Sequence, residues 1–228
     1  MKICSTEICV IGDGEKIDPD LGGVEPLPIL KVHTDEGITG ISEMFRVPPG
    51  VARSTLVGKD SFFGSTFLGI EIFHPESIWN RLYNKMLHSN RRGWAMRCLG
   101  ALDVALWDIA SKSANLPLYK YIGAYRDRIP AYASSPFMET PEEYASLAIQ
   151  AKLDGFTAFK LHPPGEPDLD IACCEAVRSA VGPGFVLMSD PVGGNYDHQD
   201  AVRVGRELEK LKYLSVRMII KFWKKTKI

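Results

Sequence analysis

The chain is 228 residues long, 45% hydrophobic and 24% charged, ordinary globular material for one large domain or two modest ones with a core of their own. Its 27 Lys and Arg against 28 Asp and Glu leave a formal net charge of -1, so no global field recruits nucleic acid or an anionic membrane, and a small molecule is the default partner. The cysteines Cys4, Cys9, Cys98, Cys173 and Cys174 are odd in number and hold no CxxC pair, which reads as reduced, intracellular usage rather than a disulfide framework or a zinc site.

The short apolar run behind Lys2 is interrupted by Glu7, and no later stretch approaches the length of a membrane span, so a cytoplasmic location is expected. Strand-like segments at Ile3 to Ile11 and Ile29 to His33 lead through the turn Asp35-Glu36-Gly37 into Ile38 to Phe45, which predicts a small antiparallel sheet. Gly12 to Pro28 and Val47 to Gly69 lack periodicity and read as long loops, either linkers or ligand-covering lids. Helical patterns follow at Pro75 to Leu87 and Trp94 to Ala114. The second aligns Cys98, Leu99, Leu102, Ala105, Leu106 and Ile109 on one apolar face. Asp108 and Lys112 stand in the favourable order for a helical ion pair, a structural role.

From Ile129 the rhythm becomes strand, helix, strand, helix, the pattern of parallel βα units. Arg128 to Ser134 is the first expected strand. Thr140-Pro141-Glu142-Glu143 gives a cap, a proline at the first helical position and a glutamate three after the cap, and Gly155 closes that helix. Phe156 to His162 is the second strand, Leu169 to Val181 the second helix, and Phe185 to Asp190 the third strand. Asp197 then caps a third helix with apolar Ala201, Val204, Leu208 and Leu211.

The second strand ends Lys160-Leu161-His162 before two prolines. Alternation puts Lys160 and His162 on one face, about 6.7 Å apart, and turns Phe159 and Leu161 toward the helices. Asp190 ends the neighbouring strand at the same level, ahead of Pro191 and Gly193-Gly194. In α/β barrels the C-terminal ends of strands carry the chemistry. Singly, each residue has a bland explanation: a snorkelling lysine, a histidine on a loop carbonyl, an aspartate capping a turn. Together they suit abstraction of a proton beside a carboxylate, assisted by Mg²⁺: Lys160 binds the substrate carboxylate, His162 is the base and Asp190 a metal ligand. One carboxylate is fewer than Mg²⁺ normally takes in such a site.

Ala101-Leu102-Asp103-Val104-Ala105-Leu106-Trp107-Asp108, with Lys112, Leu116-Pro117-Leu118 and Gly123, closely resembles the helix signature of the enolase superfamily, mandelate racemase/muconate-lactonising branch. Lys160 and His162 sit where that branch has Lys-x-Lys, and Asp190 sits at its first Mg²⁺ ligand position. The resemblance implies an α+β N-terminal capping domain, residues 1–128, followed by the first three βα units of an incomplete (β/α) TIM-type barrel, residues 129–213, with 214–228 an atypical basic tail. It also implies that the two long loops cover the site, that Mg²⁺ is the cofactor, that the substrate is a small carboxylate or acid sugar undergoing dehydration, racemisation or cycloisomerisation, with dehydration or racemisation the expected reaction here, and that the protein is a homo-oligomer.

Three departures qualify it. His162 replaces the second lysine, Val192 stands where an asparagine is frequent, and LSVRMIIKFWKKTKI follows Tyr213 where a strand with a Glu-Glu-Pro-like end belongs. This tail reads as frameshifted or fragmentary, ahead of a membrane- or nucleic-acid-binding tail. Three βα units cannot close a barrel, so the chain alone is expected to be poorly soluble or partly unfolded, and catalytically silent. The competing functions are a barrel aldolase with Lys160 as Schiff-base nucleophile and a non-catalytic partner of a full-length homologue.

Overall fold

In Leu27–Thr34 the alternate residues Pro28, Leu30, Val32 and Thr34 are buried and those between are half-buried, the period of two of a sheet with one covered face. The computed structural model describes residues 1–12, 27–72, 74–88, 91–191 and 196–216. Within it the chain divides into two compact units, Met1–Asp127 and Arg128–Ile228.

The first unit is built on β1 (Ile3–Ile11), β2 (Leu27–Thr34) and β3 (Thr39–Glu43), antiparallel and ordered β1-β2-β3. Residues 47–69, expected as a loop, instead carry α1 (Pro49–Leu56) and α2 (Gly64–Phe67). Pro49 opens α1, where its missing N–H is no loss, and Ala52, Thr55 and Leu56 are buried. A helix of about two turns offers too few repeats for its period to stand out beside Pro48-Pro49-Gly50. The other long segment, 12–28, lies mostly outside the described residues.

Next come α3 (Pro75–Lys85), α4 (Gly93–Ser113) and the single turn α5 (Leu118–Tyr121). The six apolar residues expected on one face of α4 are all buried, in one core with Leu30 and Val32 of the sheet. Gly40 lets the sheet and helix touch: a Cβ there would lie 2.1 Å from the Ala105 carbonyl oxygen. Asp108 and Lys112 have the structural role read from their spacing. Lys112 Nζ donates to Asp108 Oδ2 (2.7 Å) and to the Thr39 carbonyl (2.8 Å), while the Ile41 N–H donates to Asp108 (2.9 Å), so the pair fastens α4 to the edge of the sheet.

The second unit runs β4 (Ala133–Ser134), α6 (Pro141–Leu153), β5 (Ala158–Leu161), α7 (Pro167–Val181), β6 (Val186–Ser189), α8 (His198–Lys210) and β7 (Ser215–Val216). The strands are parallel and ordered β4-β5-β6-β7, each joined to the next by a helix. Thr140 and Asp197 both form full capping boxes, and Gly155 takes φ +92° after α6.

Two further expectations, both in this unit, need correction. The first strand is only Ala133–Ser134, because Pro130 has no N–H to give a ladder and Ile129 is 80% exposed. The segment 214–228 does not leave the fold at once: Leu214 N donates to the Leu187 carbonyl (2.8 Å) and Ser215–Val216 pairs with Met188 and Ser189 as a fourth parallel strand. Residues 217–228 lie outside the described residues.

Phe159, Leu161 and Leu187 pack with Cys174, Val177, Val204 and Leu208 of the helices. At the end where strands begin, Arg178 donates to the carbonyls of Gly182 (2.7 Å), Phe185 (2.8 Å), Leu211 (2.8 Å) and Lys212 (3.0 Å). One guanidinium thereby ties the segments entering β6 and β7. Among the described residues no helix is long and apolar enough to cross a membrane.

Candidate active site

At the opposite end, β5 and β6 stop together. Leu161 pairs with Ser189, and Asp190 N still donates to the Leu161 carbonyl (2.8 Å), which brings the side chains one residue beyond each strand to one level. Pro163-Pro164 cannot continue the ladder. Phe159 is 2% exposed and Leu161 fully buried, so Lys160 and His162 take the other face, as the alternation predicts.

Lys160 Nζ is 3.2 Å and His162 Nε2 3.7 Å from the same oxygen, Asp190 Oδ2. Their side chains are 21% and 22% exposed and that of Asp190 is 10% exposed, open to a small ligand and dry enough to strengthen electrostatics. Lys160 Nζ also lies 5.5 Å from the centre of the Tyr132 ring.

His162 is oriented from behind. Its Nδ1 is 2.7 Å from the Ser135 carbonyl, and its backbone N–H donates to Ser135 Oγ (2.9 Å). A carbonyl only accepts, which assigns the ring proton to Nδ1 and leaves the Nε2 lone pair facing the site. Tyr144 OH donates to the His162 carbonyl (2.7 Å) and accepts from Met138 N (3.0 Å). Burial pushes the Tyr144 hydroxyl up to about 12, which keeps it a donor. The Phe137 ring stands 6.4 Å from the imidazole, centre to centre.

The structure thus brings together Lys160, His162 and Asp190, all three named from sequence. It adds Tyr132, Ser135, Phe137 and Tyr144. Ser135 carried a usable signal: it follows the strand neighbouring Lys160 and falls at the strand-end level that singled out the other three. Tyr144, on a helix, carried none. Val192, Gly193 and Gly194 lie outside the described residues.

Asp190 is the right kind of ligand for Mg²⁺, a carboxylate at the mouth of the strands. Among the described residues, however, no group of three or more His, Cys, Asp or Glu is placed to hold a metal, and Lys160 already engages the Asp190 oxygen. The described residues offer Asp190 as a ligand but not a whole site.

Residues 23–123 match the mandelate racemase / muconate lactonizing enzyme N-terminal domain, and 143–216 match the enolase C-terminal domain-like family. The 3,6-anhydro-alpha-L-galactonate cycloisomerase of Streptomyces coelicolor is 32% identical over 78% of this chain and 50% of its own length. The L-talarate/galactarate dehydratase of Salmonella typhimurium is 34% identical over 61% of this chain and 36% of its own. The D-glucarate dehydratase of Agrobacterium tumefaciens, solved with magnesium, superimposes with a TM-score of 0.85 at 29% identity, over 97% of this chain and 62% of that one. The chain spans about half the length of the curated relatives it matches. With the helix signature, both domain matches and the paired strand ends in agreement, the chain belongs to the enolase superfamily, in its mandelate racemase / muconate lactonizing enzyme branch.

Proposed function

We propose that this chain carries one side of a site for removing a proton beside the carboxylate of an acid sugar, leading to dehydration or racemisation. The observation that supports it most is the convergence of Lys160 Nζ and His162 Nε2 on Asp190 Oδ2 at adjacent strand ends. Lys160 pairs with the substrate carboxylate. His162, its proton fixed on Nδ1 by Ser135, accepts the substrate proton at Nε2. In dehydration the neighbouring hydroxyl leaves as water with the proton that His162 took up, so no net proton is consumed; in racemisation His162 loses its proton to solvent while a solvent-derived proton adds to the opposite face. Asp190 would be one ligand of Mg²⁺, which would supply positive charge against the negative charge that develops on the substrate. The dehydratases among the relatives, and the magnesium in the glucarate dehydratase structure, support this substrate class and cofactor. On this reading the second unit is the opening part of a (β/α) barrel and the first unit is a capping domain.

With a single carboxylate converging on the site among the described residues, we infer that the 228-residue chain binds a sugar acid without turning it over. The test is NMR of the full chain with Mg²⁺ and D-glucarate in deuterated water. D-glucarate should shift the His162 imidazole signals, Lys160→Ala should abolish that shift, and no deuterium should enter the sugar beside its carboxylates. Unmoved His162 signals would overturn the site; Mg²⁺-dependent deuterium incorporation would overturn the inactivity.

A further inference from the structure

The segment that follows β5 is fastened to the residue that precedes the cap of α8. After His162 the chain passes Pro163-Pro164-Gly165-Glu166 into α7, and after Asp190 it returns at Tyr196 before α8. Asp170, on the first turns of α7, is 1% exposed, as is Tyr196. One Asp170 oxygen accepts from the N–H groups of Gly165 (3.1 Å) and Glu166 (3.2 Å), and the other accepts from Tyr196 OH (2.5 Å). Burial pushes the Tyr196 hydroxyl upward and its bond to Asp170 raises it further, so the proton stays on the phenol. Neither group points at the site, and the proton-transfer reading uses neither. A buried carboxylate saturated by three donors is costly to place and rigid once placed. Here it joins the segment three residues past His162 to the segment six residues past Asp190.

We propose that Asp170 and Tyr196 are positioning residues that hold Gly165-Glu166, after β5, against Tyr196, at the start of the α8 segment, and thereby help to set the 3.7 Å separation of His162 Nε2 from Asp190 Oδ2. The idea rests on the site described above, and its test separates the two. Tyr196→Phe removes one hydroxyl and keeps the ring. Asp170→Asn keeps an acceptor for Tyr196 but cannot take the same set of donors, and it serves if Tyr196→Phe does not fold. Val177→Ala, in the same core, is a control for lost stability that leaves the bridge intact.

In the full chain without ligand, well below the melting transition, Tyr196→Phe or Asp170→Asn should shift and broaden the His162 imidazole signals, whereas Val177→Ala should not. With Mg²⁺ present, the dissociation constant for D-glucarate should rise about tenfold in the bridge variants only, the loss expected when a bond to a buried charge is removed. If the His162 signals of both bridge variants match those of wild type, or if Val177→Ala perturbs them equally, the positioning role is wrong. Should wild type show no response to D-glucarate, the substrate reading fails, while the ligand-free comparison still decides the role of the bridge.

Discussion

Two Lys-x-His segments face a carboxylate in this protein, one in each unit. Lys31 and His33 on β2 lie 3.6 and 3.7 Å from Glu7; Lys160 and His162 at the end of β5 lie 3.2 and 3.7 Å from Asp190. The residue types and distances nearly coincide, but the surroundings do not. Glu7 is 54% exposed midway along β1, an edge strand of the antiparallel sheet, where cross-strand ion pairs are a common way to solvate an outer face. Asp190 is 10% exposed at the last interstrand bond of a parallel sheet. His33 Nδ1 meets the Thr39 hydroxyl, which turns to donate or accept, whereas His162 Nδ1 meets a backbone carbonyl, which only accepts. Burial, strand-end placement and a fixed tautomer mark one trio as a candidate for chemistry; spacing marks neither.

That contrast is open to a graded test. The largest effect is expected from Asp190→Ala, which leaves the half-buried Lys160 ammonium without its carboxylate and should cost about 2 kcal/mol in denaturant unfolding. A cost too small to resolve would mean that the two faces are equivalent.

A smaller effect separates the thiols behind the two faces. Cys9 donates to Glu7 on the outer face, and with Lys31 it holds that carboxyl below the usual range. Cys174 is buried behind Ser189, and burial pushes its thiol from 9.0 up to about 12. The unfolded thiol ionises first, so the stabilisation is complete below pH 9 and is lost as pH rises toward the folded value. Cys174→Ala should therefore flatten the alkaline fall in stability, by about 1 kcal/mol at pH 10 relative to its own value at pH 7. An unchanged alkaline slope would show that this thiol does not contribute.

The smallest effect is expected from Glu7→Gln, whose exposed partners are replaced by water. Its melting midpoint should be indistinguishable from wild type, and a clear loss would show that the outer face of the first unit carries more than solvation.

The elements that could be read from sequence are those whose signal repeats. Six apolar positions along α4 and the four-residue cap of α6 each state their structure several times over. The helix α1 states it about twice and was hidden by its prolines. Within the site, Lys160, His162 and Asp190 could be found because side-chain direction in a strand follows from parity. The Ser135 carbonyl that fixes the tautomer belongs to the backbone and leaves little trace in residue identity. Tyr144 and Tyr196 act through hydroxyls that cross between elements, contacts set by how helices settle on the sheet and not by any local pattern.

Arg178 has a consequence for how such a unit tolerates change. Its guanidinium closes the entrance end of the strands with four hydrogen bonds, all to main-chain oxygens, which every residue supplies, and it lies 5.6 Å from the centre of the Tyr213 ring. The four hydrogen bonds thus make no demand on side-chain identity between α7 and β6, while between α8 and β7 the side chain of Tyr213, its ring under the guanidinium and its hydroxyl bonded to the Cys174 carbonyl, does take part. Substitutions at the far end, where Lys160, His162 and Asp190 meet, meet a frame already anchored elsewhere. A protein arranged this way can exchange the chemistry at one end while its architecture is inherited from the other.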